Sequence, residues 1–266
     1  MIRTTLMTAV SLCFMATQSL AQSYDQVVQA EVLQGWRNAD GTHTAALKIS
    51  LNPGWKTYWR APGDAGIPPR ITWRGSRNMD DVELSWPTPE VFDQNGMRSV
   101  GYSQEVILPV KIAPQNPGKT MTLKAQLEIG VCRDICVPQT LRIKAELPPV
   151  GKPDGRIAAA LNDQPLSQKD AHVGTVTCRV SPTADGLRLR ATIQMPHAGG
   201  REVAVIEAGD PHIWVAEATT TRQGNTLIAE TEMMHVDETP FILDRSGLRF
   251  TVLGAAHAVD IRGCSG

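Results

Sequence analysis

Cys132 and Cys136 bracket three residues, Arg133, Asp134 and Ile135. Two thiols at this spacing can form a disulfide, exchange one with another protein, or share a soft metal ion. On a straight strand, positions i and i+4 lie roughly 13 Å apart, at ~3.3 Å per residue. A disulfide needs Cα atoms about 4.4–6.8 Å apart, so pairing requires a turn. The flanking residues suit one. Apolar residues alternate over 121–131 and again over 140–147, and a three-residue hairpin loop would seat one cysteine on each shoulder. A bond closing so small a ring removes little unfolded-state entropy. It suits switching better than stapling. A structural staple and a metal-binding pair are the competing readings.

The other candidate groups are sparser. Of five cysteines, Cys13 falls in a leader, which leaves Cys132, Cys136, Cys178 and Cys264. Four cysteines allow three pairings, and the local pair with Cys178–Cys264 is the simplest. That second bond would tie the start of the C-terminal half to its end. The competing reading leaves Cys264 as a free thiol. Six histidines are scattered without metalloprotease spacing. Met233, Met234 and His235 offer soft ligands to copper, although alternation on a strand would turn one methionine inward. No nucleophile elbow, phosphate loop or paired-carboxylate motif appears, which disfavours hydrolase and nucleotide chemistry. We expect no metal and no cofactor.

The elements that must position the cysteines read as β throughout. Residues 1–21 have a basic start at Arg3, an apolar stretch over 6–15 and small residues at Ser19 and Ala21. This is a secretory signal, too short in its apolar run for a transmembrane anchor. Export would permit disulfides and implies a periplasmic, soluble mature chain. The net charge of -1 and the absence of a basic block argue against nucleic acid as a partner. Residues 26–33 and 44–51 form a hairpin signal around Asn38 to Gly41. Trp55, Tyr58 and Trp59 then precede a Gly/Pro-rich loop, either as core plus a rigid turn or as a wall beside the cysteines. Residues 70–73, 82–86 and 106–112 read as strands, with Pro109 hinting at an edge or bulge. Residues 87–96 read as a loop. Residues 151–172 are a Pro/Gly-rich linker with a short helical run near 156–161. Seven further strands are expected over 173–180, 187–194, 203–207, 213–217, 226–232, 248–253 and 258–261. The chain is therefore expected to be all-β: a first sandwich over 22–150, the linker, and a second immunoglobulin-like sandwich over 173–266.

Four stretches carry a resemblance: Gly54-Trp55-Lys56-Thr57-Tyr58-Trp59-Arg60, Pro62-Gly63-Asp64-Ala65-Gly66, Gly101-Tyr102 before Val106-Ile107-Leu108-Pro109, and Val131-Cys132 through Cys136-Val137-Pro138. Together they resemble the periplasmic N-terminal domain of DsbD-type thiol:disulfide interchange proteins, on the ScsB branch. The resemblance covers residues 25 to 150 with specific motifs and continues more weakly beyond. It implies an immunoglobulin-like sandwich that takes electrons from a membrane-embedded partner through a thioredoxin-like domain and passes them to disulfide-bonded proteins. Cys136 matches the position that forms mixed disulfides, and Cys132 the resolving one. Trp55, Tyr58, Phe92 and Tyr102 are candidates for an active-site wall or cap, with Phe92 as the covering aromatic although its spacing departs from the family's. Family chains usually continue into membrane and thioredoxin-like domains, whereas this one stops at Gly266, so a separate membrane donor is expected.

The expected function is thiol–disulfide exchange with thioredoxin-like proteins, in the manner of a protein-disulfide reductase relay. Arg133 would favour a thiolate and Asp134 oppose it. The alternative is a copper-binding or non-catalytic interaction module. The C-x-x-x-C spacing is similar to that of Sco-type copper proteins, but their thioredoxin-like fold needs alternating helices that this chain lacks.

Overall fold

Strands alternate with tight turns from one end of the described chain to the other. The computed structural model describes residues 27–64, 66–94 and 96–266. The expected signal segment and Cys13 lie outside these residues. In chain order the strands of the first half are β1 (Val28–Arg37), β2 (His43–Leu51), β3 (Lys56–Tyr58), β4 (Arg70–Thr72), β5 (Asp81–Leu84), β6 (Glu90–Gln94), β7 (Met97–Ser103), β8 (Glu105–Ala113), β9 (Met121–Cys132) and β10 (Cys136–Leu147). A short helix, α1 (Gly155–Asn162), follows. The second half holds β11 (Leu166–Ser167), β12 (Val176–Pro182), β13 (Leu187–Gln194), β14 (Val203–Glu207), β15 (Ile213–Val215), β16 (Thr219–Gln223), β17 (Thr226–His235), β18 (Arg249–Leu253) and β19 (Ala258–Arg262).

Each half stacks two sheets. The first half pairs β1-β2-β8-β5 in one sheet and β10-β9-β3-β7-β6 in the other, with β4 also on β9. Between them lie Leu47, Leu108, Val110, Ile112, Leu123, Leu127 and Val131, all buried. The second half pairs β11-β19-β18-β14 and β12-β13-β17-β15, with β16 also on β17. Its core holds Leu189, Ile193, Leu227, Phe250, Val252 and Ile261. The architecture is all-β, as the alternation predicts.

Several local expectations change. Residues 87–96 are not all loop: β6 runs through them and forms a hairpin with β7, Phe92 opposite Ser99. Pro109 is on an interior strand, β8, between β2 and β5. It is tolerated because β5 ends at Leu84. Pro109 O accepts from Ser85 N at 2.9 Å, so the donorless nitrogen on that side faces the point where the ladder stops. The Pro/Gly-rich segment after β10 is docked rather than free. Asp154 caps α1 by accepting from Arg156 N. Ile157 of α1 is fully buried against Leu33, Ala46 and Ile107. β11 pairs in parallel with β19.

The halves touch. Val203, Leu253 and Ala258 join the first half's core cluster. Arg60 makes a fork onto Glu207, with Nε–Oε1 at 3.1 Å and Nη2–Oε2 at 3.0 Å, and stacks over the Trp59 ring at 3.8 Å. Arg98 Nη2 meets Glu217 Oε1 at 3.0 Å. Cys178 is bonded to Cys264 with Cα atoms 5.7 Å apart.

Candidate functional site

β9 and β10 form a hairpin whose register places Cys132 directly opposite Cys136, Val131 opposite Val137 and Gly130 opposite Pro138. The connecting turn is held by Arg133 N donating to Ile135 O at 3.1 Å. The two cysteine Cα atoms are 4.1 Å apart and the sulfurs are bonded. The sulfurs differ in access. Cys132 is 2% exposed, whereas Cys136 lies on the exposed face of β10. An incoming group meets Cys136 first.

Alternation decides which neighbours share the cysteines' face. β3 lies beside β9 with Lys56 opposite Cys132 and Thr57 opposite Val131. Lys56 and Tyr58 therefore stand on the sulfurs' side, while Thr57 faces the other way. The Tyr58 hydroxyl is 2.9 Å from Cys132 Sγ and 3.3 Å from Cys136 Sγ. With both sulfurs in a disulfide only the phenol carries a hydrogen, so it donates. Tyr58 is 4% exposed, and burial pushes its pKa up. It stays protonated where thiols ionise.

β7 extends this face. Lys56 Nζ donates to Ser99 Oγ at 3.2 Å and lies 4.8 Å from the centre of the Phe92 ring. Lys56 is 7% exposed, and burial lowers its pKa. Ile67, from the Gly/Pro-rich loop, lies on Gly130: a Cβ at Gly130 would come within 2.8 Å of Ile67 Cβ and 3.1 Å of Tyr58 Cε2. The missing side chain at Gly130 is what lets the loop and the tyrosine ring lie against the hairpin.

The four candidate wall residues thus divide. Tyr58 reaches the sulfurs, and Phe92 stands on their face but against Lys56. Tyr102 does not join them. It is opposite Thr57 and turned into the core, where its hydroxyl donates to Pro87 O at 2.9 Å. Trp55 is also a core residue, with the Arg133 guanidinium 5.4 Å above its ring. Arg133 Nε and Asp134 Oδ2 pair at 2.9 Å, so the two charges of the turn offset one another. Lys56, Ile67, Ser99 and Gly130 were not singled out from the sequence. The one signal for Lys56 was a charged residue set among the aromatics Trp55, Tyr58 and Trp59.

Away from the hairpin, Met233 is fully buried and Met234 is exposed, so alternation separates the two thioethers. The His235 ring stacks on His212 at 5.9 Å. Among the described residues no group of three or more His, Cys, Asp or Glu is arranged to hold a metal ion.

The profile of the family described as thiol:disulfide interchange protein DsbD, N-terminal, matches residues 25–148. Over those residues the chain is similar to a DsbD-type N-terminal domain. The matched span contains β1 to β10 and, among the described residues, the cysteine hairpin and the Tyr58 hydroxyl that meets both sulfurs. Across the whole chain the fold is similar to the crystal structure of the N-terminal periplasmic domain of ScsB from Proteus mirabilis, with a TM-score of 0.70 and 20% identity over 93% of this chain and 96% of that one. That likeness takes in the second half as well as the DsbD-type domain. A search of curated proteins finds no match.

Proposed function

We propose that the chain is a periplasmic thiol–disulfide exchanger that carries electrons between thioredoxin-like proteins and disulfide-bonded partners through Cys132 and Cys136. The observation that carries this reading is the bonded pair with one sulfur open and one enclosed, and a phenol donor within 3.3 Å of both. The family match supports the same chemistry. In the same reading residues 1–21 direct export, 22–150 form the redox domain, 151–172 connect, 173–266 form a second domain, and a membrane-embedded partner supplies electrons. Among the described residues no helix is long and apolar enough to cross a membrane.

Loading is a pair of sulfur displacements. A donor thiolate attacks Cys136 Sγ. The Cys132–Cys136 bond breaks, and its electron pair leaves on Cys132. The donor's second thiolate then attacks its own sulfur in the mixed disulfide and expels Cys136. The donor leaves as a disulfide, and two electrons and two protons stay on the cysteine pair. Delivery runs the same steps in reverse against a partner's disulfide, with Cys136 attacking and Cys132 resolving. Tyr58 donates to whichever sulfur carries charge.

Cys132→Ala is expected to accumulate a mixed disulfide through Cys136 with a thioredoxin-like partner. Cys136→Ala is expected to accumulate none, because the enclosed sulfur is out of reach. Trapping on Cys136→Ala alone would reverse the roles. A Cys132–Cys136 bond that resists a thioredoxin-like dithiol during redox titration would refute the relay.

A further inference from the structure

We propose that Ile67, Ile135 and Pro138 form an uncharged apolar collar around the Cys136 sulfur, and that this collar favours polypeptide segments whose exchanging cysteine is flanked by apolar side chains. This rests on the exchange reading above and names the kind of segment the site admits.

The collar lies along the hairpin on either side of the open sulfur. Ile135, in the turn, directly precedes Cys136 and is 51% exposed. Pro138 follows two residues after Cys136 and is exposed on the same face of β10, about 7 Å further along the strand. Gly130 is opposite Pro138, and Ile67 rests on Gly130 while remaining 39% exposed. Large apolar groups left open to water beside a reactive atom are suited to contact with a visitor. The exchange chemistry fixes which part of the visitor arrives. In a mixed disulfide its sulfur lies about 2 Å from Cys136 Sγ, so the residues next to its cysteine come down onto the collar.

Charge points to the same kind of segment. Arg133 and Asp134 in the turn pair with each other. Along this face of β9 the next charged residue is Glu128, four residues from Cys132 and about 13 Å away, where it accepts from Gln126 Nε2 at 3.0 Å. Lys56 shares the face but is enclosed on the β3 side. A charged residue beside the visitor's cysteine would lose water against isoleucine and gain no counter-charge from the collar. The collar is small, as suits a brief redox encounter: it affects which segment reacts more than how long that segment stays.

The test follows the reduced protein reacting with short peptides whose central cysteine is bonded to thionitrobenzoate, with leucine or aspartate on both sides of the cysteine. The Cys136 thiolate attacks the peptide sulfur. A Cys136–peptide bond forms, the bond to thionitrobenzoate breaks, and its electron pair leaves on the coloured thionitrobenzoate anion. The same mixed disulfide made with 2-mercaptoethanol is the reference without flanks. Cys136→Ala gives the background, and each rate is divided by that of the same probe with free 2-mercaptoethanol. The leucine peptide is expected to react about tenfold faster than the aspartate peptide, the effect of partly burying an apolar side chain on each side. Ile135→Asp and Ile67→Ser are each expected to shrink that ratio, and together to bring it to about twofold or less. Both isoleucines are partly exposed, so neither change opens the core. Equal rates for the two peptides on the parent protein overturn the proposal without any variant, and so does a ratio that survives both substitutions. The exchange reading fails by a different sign: no release above background even from the 2-mercaptoethanol reference, which sinks both.

Discussion

One hydroxyl touches both halves of the reactive bond. Tyr58 is held by burial in the protonated form and is the donor nearest either sulfur as charge develops. Removing only that oxygen tests it. Tyr58→Phe is expected to slow reduction of the Cys132–Cys136 bond by about tenfold, the effect of a hydrogen bond worth roughly 1.5 kcal/mol to a charged sulfur. Stopped-flow reduction by dithiothreitol measures this, and an unchanged rate would leave the phenol as packing alone. At this scale the sequence was informative about the cysteines and Tyr58, because their types announce chemistry. It was silent on Gly130, whose contribution is the absence of a side chain, and on which face of the sheet Tyr102 takes. That face depends on the pairing of β3 with β7, and pairing partners are not written in either strand alone.

Among the elements, the hairpin and the loop laid across it form one unit. Gly130→Ala puts a methyl group into space filled by Ile67 and the Tyr58 ring. It is expected to cost about 1–3 kcal/mol, read as a lower urea midpoint with an unchanged slope. In the second half, Glu202 ties the turn before β14 by accepting from Ala198 N and pairing with Arg222. Burial opposes its charge, but the Arg222 and Ala198 hydrogen bonds outweigh burial and leave its pKa below the ordinary carboxylate value. A carboxyl with a depressed folded-state pKa contributes stability above its unfolded value of about 4.3, and loses that contribution as pH falls through the lower folded value. Thermal unfolding followed from pH 6 to 3 should therefore show a steeper acid loss for the parent than for Glu202→Gln. The strands with clean alternation, such as β13, were legible in sequence. β6 was hidden by Pro87, Pro89 and Gly96 around it, β16 by its run of threonines, and β11 by its two-residue length.

For the whole molecule, the question is what the second half contributes. Its own closure rests on Cys178–Cys264, which spans 86 residues. Replacing both cysteines with alanine is expected to destabilise it by roughly 4–5 kcal/mol on the chain-entropy account, seen as a lower melting temperature while the Cys132–Cys136 pair remains reducible. The contact between halves was not legible, because Arg60 and Glu207 meet from opposite ends of the sequence and neither stands out in its own segment. A last consequence comes from Pro138, two residues past the open sulfur on a strand that β9 flanks on one side. Proline presents no amide hydrogen there, so a visiting polypeptide finds a gap where it would otherwise zip on as an extra strand. Visitors are then held mainly by the covalent sulfur link. On the exchange reading proposed above, a partner would then part from the chain as soon as that link is cut.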